Sequence, residues 1–346
     1  MTLTSPVRIA VIGAGVIGRR HIGVVRNEPG AELVAIVDPA PPAKALADSL
    51  GVAWAAEADA LLRGDKPEAV IIATPNQLHV TGALTFVSAG IPVLLEKPVA
   101  DSVAEAMRLV EVAEAAGVPI LIGHHRRHSR LINEAKAVVG SGRLGRITAV
   151  NALSWFYKPS AYFDVAWRRE AGGGPVLINL IHVIDDLRNM VGDVTSVQAI
   201  ESNAVRGFAV EDTAAVLLRF ANGALGTVTV SDTTVAPWSW EMTSGEDRAF
   251  PSSGEASYMI GGTDGSLTVP RLDHWHYGET KSWVAPISRD RCILPEQDPL
   301  LVQLRHFCAV ARRKAKPVID AREGTRTLAV TLAVKRSSEI GQAVRI

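Results

Sequence analysis

Apolar positions along the chain come in two textures. In the first third they form short continuous runs: VRIAVIG (7–13), AELVAIVD (31–38), EAVIIAT (68–74), IPVLLE (91–96) and VPILIG (118–123). Strands that are apolar without alternation belong to a parallel sheet covered on both faces. Amphipathic helices are expected between them: from the glycines after the first strand to about Glu28, from about Gln77 to Ala89, and from Ser102 to Ala116. After Gly145 the pattern changes to Val-, Thr- and Ala-rich strands, RITAVNALSWF (146–156), SVQAIESNA (196–204), DTAAVLLRF (212–220) and ALGTVTVSDTT (224–234). Ala221-Asn222-Gly223 joins the last two as a hairpin, and Thr263-Asp264-Gly265 marks another turn before SLTV. Helices are expected over 172–192, about 298–314 and 321–342. The fold class that follows is an α/β N-terminal Rossmann domain, a doubly wound parallel sheet, plus an α+β C-terminal domain with a large, mostly antiparallel sheet. The boundary is expected between residues 123 and 124, giving domains 1–123 and 124–346.

Composition narrows the function. A chain of 346 residues, 47% hydrophobic and 21% charged, supplies two cores and is not disordered. Lys plus Arg equals Asp plus Glu at 36 each, so neither nucleic acid nor an anionic membrane is indicated as a partner, and a small molecule is expected instead. Residues 69–95 carry no Asp, Glu, Lys or Arg, but Pro75, Asn76, Gln77, His79, Gly90 and Pro92 break them into strand, helix and strand rather than a membrane span. The opening MTLTSPVRIAVIG has no basic leader, and Cys292 and Cys308 are too few for a disulfide framework, so a cytoplasmic location is expected.

GAGVIG (13–18) follows an apolar strand and opens a helix, the context in which G-x-G-x-x-G binds a dinucleotide. Gly13 makes the tight turn, Gly15 admits the pyrophosphate, Gly18 packs helix on strand, and Val16 and Ile17 offer first-turn N–H groups. Asp38, ending the second strand twenty residues after Gly18, suits the ribose hydroxyls of NAD and repels a 2′-phosphate, so NAD is favoured over NADP. Ligands of such sheets lie beyond strand carboxyl ends. That rule selects Thr74-Pro75-Asn76 with His79 following, Glu96-Lys97-Pro98, and the His124–His128 run. Three histidines in that run without a nearby Cys or acidic residue do not make a metal site, and no metal is expected. His125, Arg126 and Arg127 are expected to line the ligand mouth instead.

Together GAGVIGRRH (13–21), ATPNQLH (73–79), LEKP (95–98), GHHRRH (123–128), WRREAGGG (167–174) and IHVID (181–185) resemble the Gfo/Idh/MocA oxidoreductases. The resemblance implies an NAD(P)-dependent enzyme that moves a hydride between nicotinamide and a secondary alcohol or ketone of a sugar, inositol or related cyclic polyol. It implies a second domain that binds substrate and assembles a homodimer or homotetramer, and it assigns catalysis to Lys97 and His182. Family members commonly place an Asp four residues before that histidine; here the position is Ile178.

At about 100° per residue, Asn179, Asp186, His182 and Asp185 fall within one arc of about 120° on an otherwise apolar helix, and Ile178 lies inside that arc. Lys97 and His182 are expected to handle the proton, Asn179 to orient substrate, Asp185 to orient His182, and Trp167, Arg168 and His125 to contact substrate or cofactor. Asn76, Thr74, Pro75, His79 and Glu96 are expected at the cofactor. Ile178 keeps three alternatives in view: a less polar cyclic dihydrodiol as substrate, a redox-neutral glycoside-processing cycle on retained NAD, and a dinucleotide-binding regulator without chemistry.

Overall fold

Each uninterrupted apolar run becomes a buried parallel strand. In the computed structural model, which describes residues 5–346, the order is β1 (Val7–Ile12), α1 (Val16–Asn27), β2 (Ala31–Val37), α2 (Pro41–Leu50), β3 (Ala53–Ala55), β4 (Ala69–Ile72), α3 (His79–Ser88), β5 (Val93–Leu95), α4 (Val103–Ala116) and β6 (Ile120–Ile122). The part of the leader reading that falls on residues 1–4 lies outside the described residues. All six strands pair in parallel in the order β3-β2-β1-β4-β5-β6. Consecutive strands run outward from β1 in both directions, so the order reverses between β1 and β4, the crevice where doubly wound sheets hold ligands. Helix α2 and the short β3 lie in a stretch for which no element was expected. Pro41 and Pro42 sit at its first two positions, where a missing N–H costs nothing, and Gly51 closes it with φ +67°.

The second sheet has nine strands. After α5 (Arg130–Gly140) come β7 (Ile147–Trp155), α6 (Ile181–Met190), β8 (Val194–Ser202), β9 (Thr213–Phe220), β10 (Leu225–Ser231), α7 (Trp240–Thr243), β11 (Tyr258–Gly262), β12 (Gly265–Val269), β13 (Asp273–Tyr277) and β14 (Ile287–Arg291). The chain ends in α8 (Pro299–Ala311), α9 (Ala321–Ile340) and β15 (Val344–Arg345). The order β14-β13-β12-β11-β7-β10-β9-β8-β15 is antiparallel throughout except where β7 meets β10. Buried and exposed residues alternate along β9, so one face of this sheet meets a core and the other does not. Leu180, Val183, Ile184 and Leu187 of the α6 region, Ile132 of α5, and Val330 and Val334 of α9 cover the buried face.

The chain divides into two units, one running through His125 and adding Pro299–Leu328, the other comprising Arg126–Asp298 and Ala329–Ile346. A single boundary at 123/124 was expected; the first change of unit falls two residues later, and the 299–328 segment returns to the first unit. The reason is local. Ile122 N donates to Ile319 O at 3.0 Å at the free edge of β6, Arg322 pairs with Glu114, and Gly324 packs so close to Ile122 that a Cβ there would stand 2.9 Å away.

Candidate functional site

In the first unit the glycine turn has two constrained positions and one open one. Gly13 has φ +94°, and a Cβ on it would lie 2.5 Å from Ala73 O; a Cβ on Gly18 would lie 2.0 Å from Gly13 O. The protein's own backbone therefore demands those two glycines. A Cβ on Gly15 would meet nothing within 4 Å, and Gly15 is the N-cap of α1, which has no side-chain cap. Bare N–H groups at the positive end of a twelve-residue helix, beside open space, fit a pyrophosphate. Val16, 83% exposed at that end, is an apolar surface without cover from its own unit. Asp38 Oδ2 accepts from Ala14 N at 2.8 Å and Oδ1 from Ala40 N at 2.8 Å, which fixes the carboxylate beside the turn where a ribose edge would arrive. These features fit NAD.

The ends of β4 and β5 are tied together. His79, fully buried, sets Nδ1 2.7 Å from Pro98 O and Nε2 3.0 Å from Thr74 O. Burial pushes its pKa down despite the two carbonyls, so the ring is neutral and donates to one of them. His79 thus clamps the Thr74 and Pro98 loops, a bracing position rather than the expected cofactor contact. Glu96 is also buried: His21 Nε2 is 2.7 Å from its Oε1, and Lys97 N donates to its Oε2 at 3.2 Å. Burial alone would raise Glu96, but the hydrogen bond from His21 and the charges of His21, Lys97 and His125 more than offset it, and the carboxyl titrates below its ordinary value. Room for that side chain comes from Gly123, where a Cβ would stand 2.8 Å from Glu96 Cδ. Lys97 is half-buried with its backbone held on both sides. His125, half-buried, adds positive charge near Glu96; Pro75 is exposed and Asn76 half-buried on the loop after β4.

In the second unit the polar helix answers differently from its angular reading. Val176–Leu180 is a π turn, with Ile181 N reaching Val176 O, and the α-helix begins only at Ile181. Asp185 accepts from Arg127 Nε at 2.7 Å and Nη2 at 2.8 Å, a fork on both oxygens that secures the Arg126–His128 segment. Asp186 accepts from Arg126 at 3.1 Å and from the Tyr258 hydroxyl at 2.8 Å; Arg126 also donates to Glu241. Burial, offset in part by Arg126, raises Asp186 to about 6. Arg126 and Arg127 are thus buried partners of α6 rather than the expected lining of a ligand mouth. Asn179 and His182 belong to the same stripe, each 8% exposed, and Asn179 Oδ1 is buried without a hydrogen-bond partner.

The three glycines before this helix divide their roles. Gly172 has φ +91° and open space around it, whereas a Cβ on Gly173 would strike Trp167 O at 2.3 Å and one on Gly174 the Glu211 carboxylate at 2.2 Å. Glu211 caps the helix start, accepting from Val176 N at 2.9 Å, and Lys335 bridges it to Glu201. Arg168 lies over the Tyr162 ring at 4.0 Å and donates to Tyr162 O at 2.7 Å; Trp167 is 51% exposed. Sequence reasoning gave no role to Glu211, His21 or Gly123. Only His21 left a signal, standing with Gly18, Ile22 and Val25 on the buried side of α1.

An open glycine turn, an uncapped helix and a pinned acid on a doubly wound sheet define a Rossmann-fold, dinucleotide-binding protein. Residues 7–124 match the family described as oxidoreductase family, NAD-binding Rossmann fold, and residues 132–268 match the GFO/IDH/MocA C-terminal domain. The chain belongs to the Gfo/Idh/MocA oxidoreductase family. It is 28% identical to 1,5-anhydro-D-fructose reductase of Ensifer adhaerens, with 98% of each chain aligned. It is also 28% identical to 1-carboxy-3-chloro-3,4-dihydroxycyclohexa-1,5-diene dehydrogenase of Comamonas testosteroni, over 65% of this chain but only 57% of that protein. Among solved structures, the WlbA dehydrogenase from Bordetella pertussis in complex with NADH and UDP-GlcNAcA superposes with TM-score 0.81, at 27% identity over 99% of both chains. No helix among the described residues is long and apolar enough to cross a membrane.

Proposed function

We propose that the protein is an NAD-dependent dehydrogenase or reductase acting on a secondary alcohol or ketone of a sugar, inositol or related cyclic polyol, with Lys97 and His182 handling the proton. The observation that carries this reading is the anchoring of Lys97: Glu96 Oε2 holds its N–H, His79 braces the following Pro98, and β5 places it beyond a strand carboxyl end. The Gly13–Gly18 turn and Asp38 would hold NAD, which would supply the hydride acceptor for the carbinol carbon. Lys97 and His182 take or return the hydroxyl proton, and Asn179, with a buried acceptor lacking a partner, receives a substrate hydroxyl. Trp167 and Arg168, on the loop before the helix, contact the remainder of the ligand.

Ile178 favours a second reading, a less polar ring such as a cyclic dihydrodiol, because a branched alkyl group stands where a carboxylate is common in relatives; the Comamonas dehydrogenase bears a name of that class. NADH formation is to be followed across a panel of sugars, inositols and cyclic dihydrodiols with wild type, Lys97→Ala and His182→Ala. The reading expects turnover on at least one class and a loss of kcat of about a hundredfold or more in each variant. Near-normal turnover in either variant rejects the residue assignment. Tight NAD binding without turnover on any compound rejects the enzyme in favour of a regulator, and product without net NADH points to the redox-neutral cycle.

We place the protein in the cytoplasm as a homodimer or homotetramer. Cys292 and Cys308 are both free thiols, and Leu217, Leu225, Met259 and Ile287 stand exposed on the second sheet. Sedimentation of a monomer at micromolar concentration would reject the assembly.

A further inference from the structure

Strands β13 and β14 pair at one end of the nine-stranded sheet, with His274 opposite Asp290 and His276 opposite Ser288. Side chains two apart on a strand share a face, and so does the residue directly across, which brings His274, His276 and Asp290 to one side of the ribbon. One ring nitrogen of each histidine and one carboxylate oxygen lie within 4.8 Å of one another. His276 Nε2 is 3.0 Å from Asp290 Oδ2, and His274 Nδ1 is 4.0 Å from the same oxygen.

Hydrogen-bond partners assign the protons. His276 Nδ1 lies 3.0 Å from Tyr277 O, and since a carbonyl only accepts, Nδ1 carries the hydrogen. Nε2 is then the nitrogen that faces the Asp290 carboxylate, donating to it when the ring is an imidazolium and offering a lone pair when it is neutral. Arg143 Nη2 lies 3.1 Å from His274 Nδ1, and since a guanidinium only donates, that nitrogen is bare. The other nitrogen of His274 is packed against Gly265, where a Cβ would stand 2.8 Å from it. Two ring nitrogens and a carboxylate oxygen therefore face one place, and the guanidinium of Arg143 also comes within 3.9 Å of Asp290. A histidine whose remote N–H is held by a carbonyl, as that of His276 is by Tyr277 O, is oriented as a metal ligand is.

We propose that His274, His276 and Asp290 bind one Zn2+ ion, which displaces the Arg143 guanidinium and keeps a fourth position for water. Two imidazoles and a carboxylate suit this ion, and bonds of about 2.0–2.2 Å require the three groups to close in by roughly 1 Å. Asp290 and Arg143 are both more than half exposed, so one side chain can move in and the other can leave. The ion staples β14, whose five residues are all exposed, to β13. All of these residues belong to the second unit, and the site is independent of the proposed oxidoreductase chemistry. It also goes against the expectation of no metal, which was argued from the His124–His128 run.

Full-length protein freed of metal by dialysis against a chelator is to be titrated with Co2+ and then Zn2+. One equivalent of Co2+ should bind with visible d–d absorption, Zn2+ should displace it, and the thermal midpoint should rise with Zn2+ concentration. His276→Ala and Asp290→Asn, at surface-accessible positions, should each weaken binding at least about tenfold without lowering the metal-free midpoint, whereas Arg143→Ala should tighten it by about tenfold. Absence of binding in wild type overturns the proposal, including the case where only Arg143→Ala binds, because the guanidinium is then the resident cation. Binding unaffected by His276→Ala and Asp290→Asn also overturns it, since the metal then sits elsewhere.

Discussion

Replacing Glu246 by Gln should flatten a loss of stability that the wild-type protein suffers as pH rises. Glu246 Oε1 accepts from Ser129 Oγ at 2.6 Å and Oε2 from Trp240 Nε1 at 3.2 Å. Burial raises its carboxyl from the ordinary 4.5 to about 7, the two hydrogen bonds and Arg126 offsetting only part of the effect and Asp186 adding to it. The unfolded chain keeps the ordinary value, so between the two the folded protein binds more protons. The associated stability is therefore fully present below about pH 4.5 and is lost as pH rises through about 7. At 1.36 kcal/mol per tenfold change in acidity the shift corresponds to about 3 kcal/mol, reduced to about 2 kcal/mol because the side chain is partly exposed. Gln is neutral at every pH and keeps one acceptor for Ser129, at a pH-independent cost of about 1 kcal/mol for the Trp240 bond. Urea unfolding of both proteins from about pH 5 to about pH 8.5 should show the Gln variant gaining about 2 kcal/mol on wild type across that range. Asp186 titrates near 6 in both proteins and largely cancels in the comparison. A stability difference that stays constant over the range would refute the reasoning.

Gly18→Ala should lower stability by about 2 kcal/mol or more, while Gly15→Ala should leave it unchanged or slightly higher and weaken NAD binding at least about tenfold. Thermal melts with NAD titration decide this, and equal destabilisation of the two variants contradicts the division drawn between the glycines. Asp38→Asn keeps an acceptor for one of the backbone N–H groups of Ala14 and Ala40, gives up the other bond and loses the charge, so the ratio of NAD to NADP affinity should fall by about tenfold; an unchanged ratio in binding titrations counts against Asp38 as the selector. Asp185→Asn leaves the buried Arg127 without its counter-charge and should cost about 3–5 kcal/mol in urea unfolding. A loss under about 1 kcal/mol would show that the pair does not bear on stability.

The parallel sheet was legible because a strand buried on both faces has only one way to be written, as an unbroken apolar run, and GAGVIG stood at the one place where that pattern meets a helix. The polar helix was legible only in part. Angular arithmetic at a constant pitch puts Asp185 and Asp186 on the His182 side, but it cannot say what lies across from them. Their partners Arg126 and Arg127 are 58 to 60 residues upstream, and Tyr258 is 72 downstream. Glu211 was invisible for the same reason, since it caps Val176 from 35 residues away. The π turn over Val176–Leu180 adds a local cause, because it changes the pitch within the stripe whose phase was being read. Polar groups on a buried element are assigned by long-range partners, and periodicity carries no information about those.

On the proposed function Asn179 and His182 meet the ligand, and Ile178 is the residue that sets the polarity of their stripe. Ile178 is half-buried, directly before Asn179 and four residues before His182. On the proposed function, Ile178→Asp adds a carboxylate next to an acceptor that already lacks a partner. Hydroxyl-rich rings should gain an acceptor, and kcat/KM for inositols or sugars relative to cyclic dihydrodiols should rise by about tenfold, in line with the penalty for leaving a polar group unmatched. The same charge favours protonated His182 and raises its pKa, so for alcohol oxidation, which needs the neutral ring, the acidic limb of the kcat/KM profile should move to higher pH. Both readouts come from one variant and from steady-state rates on the substrate panel. If the substrate ranking and the acidic limb both stay where they are in wild type, Ile178 does not face the reacting hydroxyl, and the placement of His182 at that hydroxyl fails with it.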